Sequence, residues 1–577
     1  MSQEKSREYI GIAAAPGLAS GEAYIWRKET LQVPRYTAAR PEAEIERLKA
    51  ARQRAQVEIN LLREKVEADV GAEEAAVFEA HAMFLEDESL VEMAEETIRG
   101  GVNAEAAWMD AIDYFAKELA QIPDKTLSER AADVRDVGRR VLGHLMGKTG
   151  SDAPRFSGPV VLVARDLEPS ETAALDKNKV LAFCTAEGGP TPHTAILAKA
   201  MGLPAVVGIG PDILALPDGA PVLVNGSAGR VTAYPEPGAV EAFRRLQAEA
   251  GRISSEEQAL AQEPVVTPDG RRIEVVANIG SAADAANALR MGAEGVGLLR
   301  TEFLYLERAT APSEDEQYAA YRDVLELMED RPVVVRTLDV GGDKQLAYLD
   351  LGREANPFLG WRAIRMCLDQ PDFFKVQLRA LLRASPGHDL RIMFPMVSML
   401  DEVRQAKRLL QEAWQELAAR GIPVAEDIQV GIMVEIPSVA VMAESFAQEV
   451  DFFSVGTNDL TQYTFAAERT NERVAHLGDA IHPAVLRQIR MVIRAAHAAG
   501  IWVGVCGELA GDPDAAPILL GLELDEFSMS PGSVPPAKAI LREWTMAAAR
   551  DLADQALALD SAEAVRSFVR AYPSKKA

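Results

Sequence analysis

Six residues in the second half of the chain stand where short β-like runs stop. They are Arg300 after GVGLL, Arg336 after VVV, Glu435 after VGIMV, Asn458 and Asp459 in FFSVGTND, and Cys506 after WVGV. Arg469 follows shortly after the fifth of them, in FAAER. Arginines converging on one mouth are bidentate donors suited to phosphate or carboxylate. Two carboxylates from neighbouring strands suit a hard octahedral cation such as Mg²⁺, which is held by one or two carboxylates and completed by substrate oxygens. Any one of these arginines alone reads as the partner of a structural carboxylate. The set reads as a site for a small phosphorylated anion with a magnesium ion. Cys506 is open between two readings at this point: a buried small apolar residue, or a group that passes a proton at the mouth.

A second candidate lies in CTAEGGPTPHTAIL, where a Gly pair and Pro-Thr-Pro deliver one histidine, His193, to the start of an apolar, Ala-rich run. Glycines and prolines fix a turn and the residues after it read as a helix, so His193 is placed at or near a helix N-terminus on a loop tip. It reads either as a residue that merely caps the turn or as a nucleophile. The other histidines outside the motifs, His144, His388, His476, His482 and His497, have no partner pattern and are assigned structural or solvent roles.

These residues need elements to hold them. Eight strand candidates run through the second half: IEVVANI, GVGLLR, VVVRTLD, RIMFPMV, VGIMVEI, FFSVGTND, WVGVCGE and EFSMS. All but the last are followed by a helical stretch, which predicts a (β/α)₈ barrel with its site at the C-terminal ends of the strands. Residues 36–148 carry apolar residues at three- and four-residue spacing with almost no turn signal, which predicts a helical subdomain. Around it, residues 1–35 and 149–234 are β-rich and form one α/β unit, so the helical part is an insertion. Residues 235–265 read as a polar linker helix, leaving 266–577 to the barrel. The fold class is multidomain α/β.

The chain has 577 residues and a formal net charge of −26, which argues against nucleic acid and anionic membranes as partners. Three cysteines, Cys184, Cys367 and Cys506, have no metal-ligand spacing and fit a reducing cytoplasm. No run is long and apolar enough to span a bilayer.

The motifs resemble a known family. GGPTPHTAILAKAMGLPAVVG is similar to the phosphohistidine motif of enzymes that use phosphoenolpyruvate, and DFFSVGTNDLTQYTFAAER to their second motif. FEAHAMFLEDESL and ERAADVRDVGRR resemble the helical subdomain of enzyme I of the bacterial sugar phosphotransferase system, the phosphoenolpyruvate–protein phosphotransferases. The resemblance covers essentially the whole chain. One departure is local: Pro190-Thr191-Pro192 stand where the family usually has Arg-Thr-Ser, and Lys199 where an arginine is common, which stiffens the turn.

The resemblance implies that phosphoenolpyruvate phosphorylates His193 at Nε2, with release of pyruvate, and that the phosphocarrier protein HPr then accepts the group. It implies that Arg300, Arg336 and Arg469, helped by Asn458, bind the substrate phosphate, that Arg362 also lines the site, and that Glu435 and Asp459 hold Mg²⁺. Cys506 becomes the acid that protonates the enolate carbon. His81 falls on the HPr-docking surface of the helical subdomain, the barrel forms a homodimer, and a hinge lies near residues 235–265. Nucleotide-using relatives need a further domain, for which the chain shows no phosphate-binding glycine loop.

Overall fold

The protein was described as a computed structural model. It describes residues 5–572 except 28–32, 70–71, 122–124, 148–155, 157, 168, 176–178, 189–197, 199–201, 307, 309, 342–345, 347, 350–353, 470 and 472. His193 and the turn that carries it therefore lie outside the described residues, as does Lys199.

The chain divides into two compact units, Met1–Gly251 and Arg252–Ala577. The division falls inside one helix, Pro237–Leu260.

In the first unit an eight-stranded sheet gathers both ends of the segment. Leu18–Trp26 pairs in parallel with Val160–Ala164, and that strand with Val180–Thr185. The N-terminal strand Arg7–Ile10 returns antiparallel to Arg230–Ala233. The chain leaves the sheet after Trp26 and comes back beside it at Val160. Between these two points run the helices Pro41–Asp69, Ala72–Glu86, Glu88–Arg99, Ala104–Ala120 and Lys125–Leu145. They close on their own core, which includes Phe78, Trp108, Ile112 and Val141. Local signals set the helix starts: Asp87 accepts from Leu90 N at 3.0 Å, satisfying one of the free amides of the first turn.

The second unit is a closed ring of eight parallel strands: Arg272–Ile279, Val296–Leu299, Val333–Arg336, Leu390–Phe394, Gln429–Val434, Phe452–Val455, Trp502–Val505 and Glu526–Met529. All eight strands read from the sequence are present, and the first pairs with both the second and the eighth to close the barrel. A helix also follows the eighth strand, Val534–Glu543, which the sequence reading had not assigned.

Alternation sorts every strand into two sets of side chains. Val275, Val335, Ile392, Ile432, Phe453, Val503 and Phe527 join the large core under the surrounding helices. Leu298, Val334, Met393, Met433, Phe452 and Cys506 form a separate cluster, with Trp502 against it, inside the ring. The same alternation puts Asn278, Arg300, Arg336 and Glu435 level with Cys506 at the C-terminal end of the interior. Toward the other end it puts Glu274, Arg391, Phe452, Trp502 and Glu526. Phe452 stacks on Trp502 with centroids 4.5 Å apart, and Gly431 leaves room for it: a Cβ there would meet the Phe452 ring at 2.5 Å.

Candidate active site at the barrel mouth

Most of the sequence-predicted residues of the barrel meet at the C-terminal ends of its strands. Arg336 closes the third strand and is 8% exposed. Its Nη2 pairs with Glu302, and its Nη1 lies 3.3 Å from Asp339 Oδ2 and 3.8 Å from the Met433 sulfur. Arg362 grips Asp339 with two nitrogens, Nη2 at 3.0 Å from both carboxylate oxygens and Nε at 3.1 Å from Oδ1. Its Nη1 reaches Asp459 Oδ1 at 3.7 Å. Burial opposes the charge of both guanidiniums. For Arg336, Glu302 and Asp339 outweigh it; for Arg362, Asp339 and Asp459 do, so both are held above the ordinary arginine range.

The backbone is bent to place these groups. Gly341 adopts φ +108°, and a Cβ there would lie 2.5 Å from Arg362 Cβ, so the close approach of the two segments needs glycine. Met396, just past the fourth strand, stands in the left-handed region at φ +56° and donates its N–H to Glu435 Oε1 at 2.5 Å. Gln377 ties the loop down from below, accepting from Leu338 N at 2.9 Å and donating to Thr301 Oγ1 at 3.2 Å. Thr301 in turn donates to Arg336 O.

Glu435 directly follows the fifth strand and is 1% exposed. Its carboxyl is pushed well above the usual range, first by burial and then by the charges of Asp459 and Asp339, against the pull of Arg336 and Arg362. Asp459 is buried, and its Oδ1 has no hydrogen-bond partner. One placement differs from the sequence reading: Asn458 and Asp459 lie in the first turn of the helix Thr457–Phe465, because the sixth strand ends at Val455. Asn458 accepts from Glu508 N at 3.4 Å, tying that helix to the segment after Cys506. Arg300 follows the second strand, partly buried. Arg469 is exposed in the loop after the helix, its N–H donated to Gln462 Oε1.

Cys506 is 5% exposed, and burial pushes its thiol up to about 11, so it stays protonated at neutral pH. Asn278 and Ser528 fix the chain around it. Asn278 Nδ2 donates to Cys506 O at 2.8 Å, and Ser528 Oγ donates to Asn278 Oδ1 at 2.6 Å.

Sequence reasoning missed Glu302 and Asp339, the two buried acids that hold the arginines. Their signal was present: each is a carboxylate two or three residues beyond a strand-end arginine, in RTE and RTLD.

The donor set fits a divalent cation. Four buried carboxylates, Glu302, Asp339, Glu435 and Asp459, face the guanidiniums of Arg336 and Arg362. The arginine contacts are weakest at Glu435, which makes no ion pair among the described residues, and at Asp459, which Arg362 reaches only at 3.7 Å. Among the described residues no three His, Cys, Asp or Glu side chains form an all-protein cage. Two carboxylates are what Mg²⁺ commonly takes when a phosphorylated substrate supplies further oxygens.

His81 departs from its expected place. It is 1% exposed, with Nε2 3.3 Å from Asp133 and Nδ1 3.8 Å from Asp136, and its ring meets Phe78 edge-on. The imidazole is an internal group of the helical core, so it presents no surface to a partner.

A barrel with arginines and an acidic pair at its mouth defines a phosphate-handling enzyme, and comparison with known families narrows the class. Residues 254–546 match the family described as PEP-utilising enzyme, PEP-binding domain; residues 10–130 match its N-terminal domain and 156–229 its mobile domain. The chain is 48% identical to a phosphoenolpyruvate-protein phosphotransferase of Geobacillus stearothermophilus over 97% of both chains. It is 46% identical to that of Priestia megaterium and 44% to that of Bacillus subtilis (strain 168), in each case over 98% of this chain and 99% of the relative. The chain belongs to the phosphoenolpyruvate–protein phosphotransferase family, enzyme I of the bacterial phosphotransferase system.

Proposed function

We propose that the chain performs the first phosphoryl transfer of sugar uptake: phosphoenolpyruvate phosphorylates Nε2 of His193, pyruvate leaves, and HPr takes the group from His193. The observation that carries this reading is the preformed charge network at the barrel mouth, in a chain that matches its family along nearly its full length.

Arg300, Arg336 and Arg469, with Asn458, bind the phosphate, and Arg362 lines the site. Arg336 and Arg362 are already locked by Glu302 and Asp339, so they need little reorientation as charge moves in the transition state. Glu435 and Asp459 would hold Mg²⁺, which when bound would neutralise charge on the phosphate oxygens. Cys506 hands its proton to the enolate carbon and traps the product as pyruvate; a thiol that stays protonated at neutral pH suits an acid. A neutral imidazole is the form in which His193 would attack.

His193 and the barrel belong to different units, so the reaction requires His193 to be carried to the mouth, with residues 235–265 as the joint. The helical subdomain, 36–148, docks HPr. Its exposed acids Glu86, Asp87 and Glu88, with Met83 nearby, suit a partner with a basic face. The protein works in the cytoplasm as a homodimer through the barrel. Among the described residues no helix is long and apolar enough to cross a membrane.

The test is transfer to the partner. Purified protein, Mg²⁺, HPr and phosphate-labelled phosphoenolpyruvate should give labelled HPr and pyruvate in equal amounts, and chelating the metal should stop both. Label that never leaves the chain would point to another acceptor. Folded protein that forms no pyruvate would refute the reading.

A further inference from the structure

Glu526 is a buried acid for which the chemistry above has no use. It is 1% exposed, and neither of its carboxylate oxygens has a hydrogen-bond partner. Such a group is costly to bury unless it has a task or a proton. Its place in the barrel suggests the task.

Ser454, Gly504 and Glu526 stand side by side on the sixth, seventh and eighth strands: Gly504 is the Cα partner of both Ser454 and Glu526. All three share the inward alternation with Cys506, which lies one inward step above Gly504 toward the mouth. Gly504 has no side chain to separate its neighbours. A Cβ there would lie 2.7 Å from Glu526 Oε1, so the carboxyl leans across the glycine. Ser454 is also 1% exposed. Its hydroxyl has no hydrogen-bond partner; it eases the ionisation of the Cys506 thiol, which itself donates to Val455 O at 3.7 Å.

Burial pushes Glu526 up to about 8, with Glu274, Asp525 and Asp389 adding to the rise and Arg391 opposing it. Arg391 is itself committed to Asp389, at 3.0 and 2.8 Å, and lies over the Trp502 ring. Glu526 therefore holds a proton close to neutral pH. Its cross-strand neighbour Glu274 is only partly buried, at the N-terminal end of the barrel.

We propose that Cys506 is reprotonated from inside the barrel, by Glu526 through the Ser454 hydroxyl, and that the replacement proton enters at the end of the barrel opposite the substrate. The steps balance. The Cys506 S–H bond breaks as the new C–H bond of pyruvate forms, leaving a thiolate. Once the Glu526 side chain has swung across Gly504 to meet it, the Ser454 hydroxyl gives its proton to the sulfur and takes one from the Glu526 carboxyl. Glu526, left as a carboxylate, takes a solvent proton by way of Glu274. One proton enters for each pyruvate made. The direction is sensible on charge: the mouth is crowded with substrate anion and with Glu435 and Asp459, while the interior side offers a neutral acid. The inference rests on Cys506 being the acid.

The experiment separates first from later turnovers, because the first uses the proton already on sulfur. Rapid-quench pyruvate formation would be followed with Mg²⁺, excess phosphoenolpyruvate and excess HPr, in full-length Glu526→Gln and Ser454→Ala, each checked by thermal melting. The expected result is that the ratio of second- to first-turnover rate falls at least tenfold in both, with a solvent deuterium isotope effect on the later turnovers. An unchanged ratio overturns the relay, whether the two rates stay normal or fall together as they would for a merely structural residue. If Glu526→Gln does not fold, Ser454→Ala decides alone. Cys506→Ala keeps the two readings apart. If pyruvate still exchanges its methyl hydrogens in D₂O with that variant at the parent rate, Cys506 is not the acid and the premise has failed. If exchange is lost and the ratio is unchanged, only the relay has failed.

Discussion

The two ends of the barrel interior each bury a glutamate, and each holds it above the ordinary carboxyl range, yet the surroundings differ. At the mouth, Glu435 feels the negative charges of Asp459 and Asp339 and the positive charges of Arg336 and Arg362, and it accepts the Met396 N–H. Farther down, Glu526 has no hydrogen-bond partner, and the cation that opposes its rise, Arg391, is occupied by Asp389. The same residue type at the same burial is thus set up for two purposes. On the proposed reading, Glu435 loses its proton when a cation arrives and Glu526 keeps one. Burial alone would not tell the two roles apart; the charges around each group would.

Four substitutions sharpen or break this contrast. The largest effect belongs to Glu435→Gln, which removes a carboxylate from the mouth: pyruvate formation should fall on the order of 10³-fold or more, with folding retained. A loss that extra Mg²⁺ fully restores would fit a weakened site; an unimpaired variant would exclude Glu435 from metal binding. Arg362→Lys comes next. Lysine cannot reproduce the bidentate grip on Asp339, so kcat/KM for phosphoenolpyruvate should drop roughly 10²-fold.

Gly341→Ala should cost about 1–3 kcal/mol in the barrel's unfolding and raise KM, since the added methyl must displace Arg362. Calorimetry and steady-state kinetics read the two parts. The last effect concerns pH. Folded Glu526 keeps its proton up to about 8, whereas the unfolded chain releases it near the ordinary value of 4.5. Its contribution to stability is therefore complete below about 4.5 and is lost as pH rises through about 8. Glu526→Gln should gain on the parent protein between pH 5 and 8 by at most about 1.4 kcal/mol per pH unit. Parallel stability curves across that range would mean that Glu526 is ionised in the folded protein.

Much of this was legible from residues alone. Barrel strands are buried on both faces and so read as short apolar runs, and a polar residue at the end of such a run marks the mouth; Arg336, Glu435 and Cys506 were found in that way. Asp459 was found but misplaced by one element, because FFSVGTND passes from strand into helix with no break stronger than Gly456. The helix after the eighth strand was missed because its opening, PGSVPPAK, looks like a loop, although proline is tolerated in a first turn. His81 could have been placed correctly: Phe78, His81 and Leu85 recur at spacings of three and four and share the buried face. Glu526 and Ser454 were not singled out: both strands are buried throughout, so even the polar–apolar alternation of EFSM does not say which set faces the barrel interior.

The central claim is that the barrel mouth charges His193. The most direct measurement is to incubate the protein with Mg²⁺ and phosphate-labelled phosphoenolpyruvate, quench at alkaline pH and locate the label by peptide mass spectrometry. One acid-labile phosphoryl group on His193 for each pyruvate released is the predicted result. Pyruvate release with the label on any other residue, or no label on folded protein with magnesium present, would contradict it.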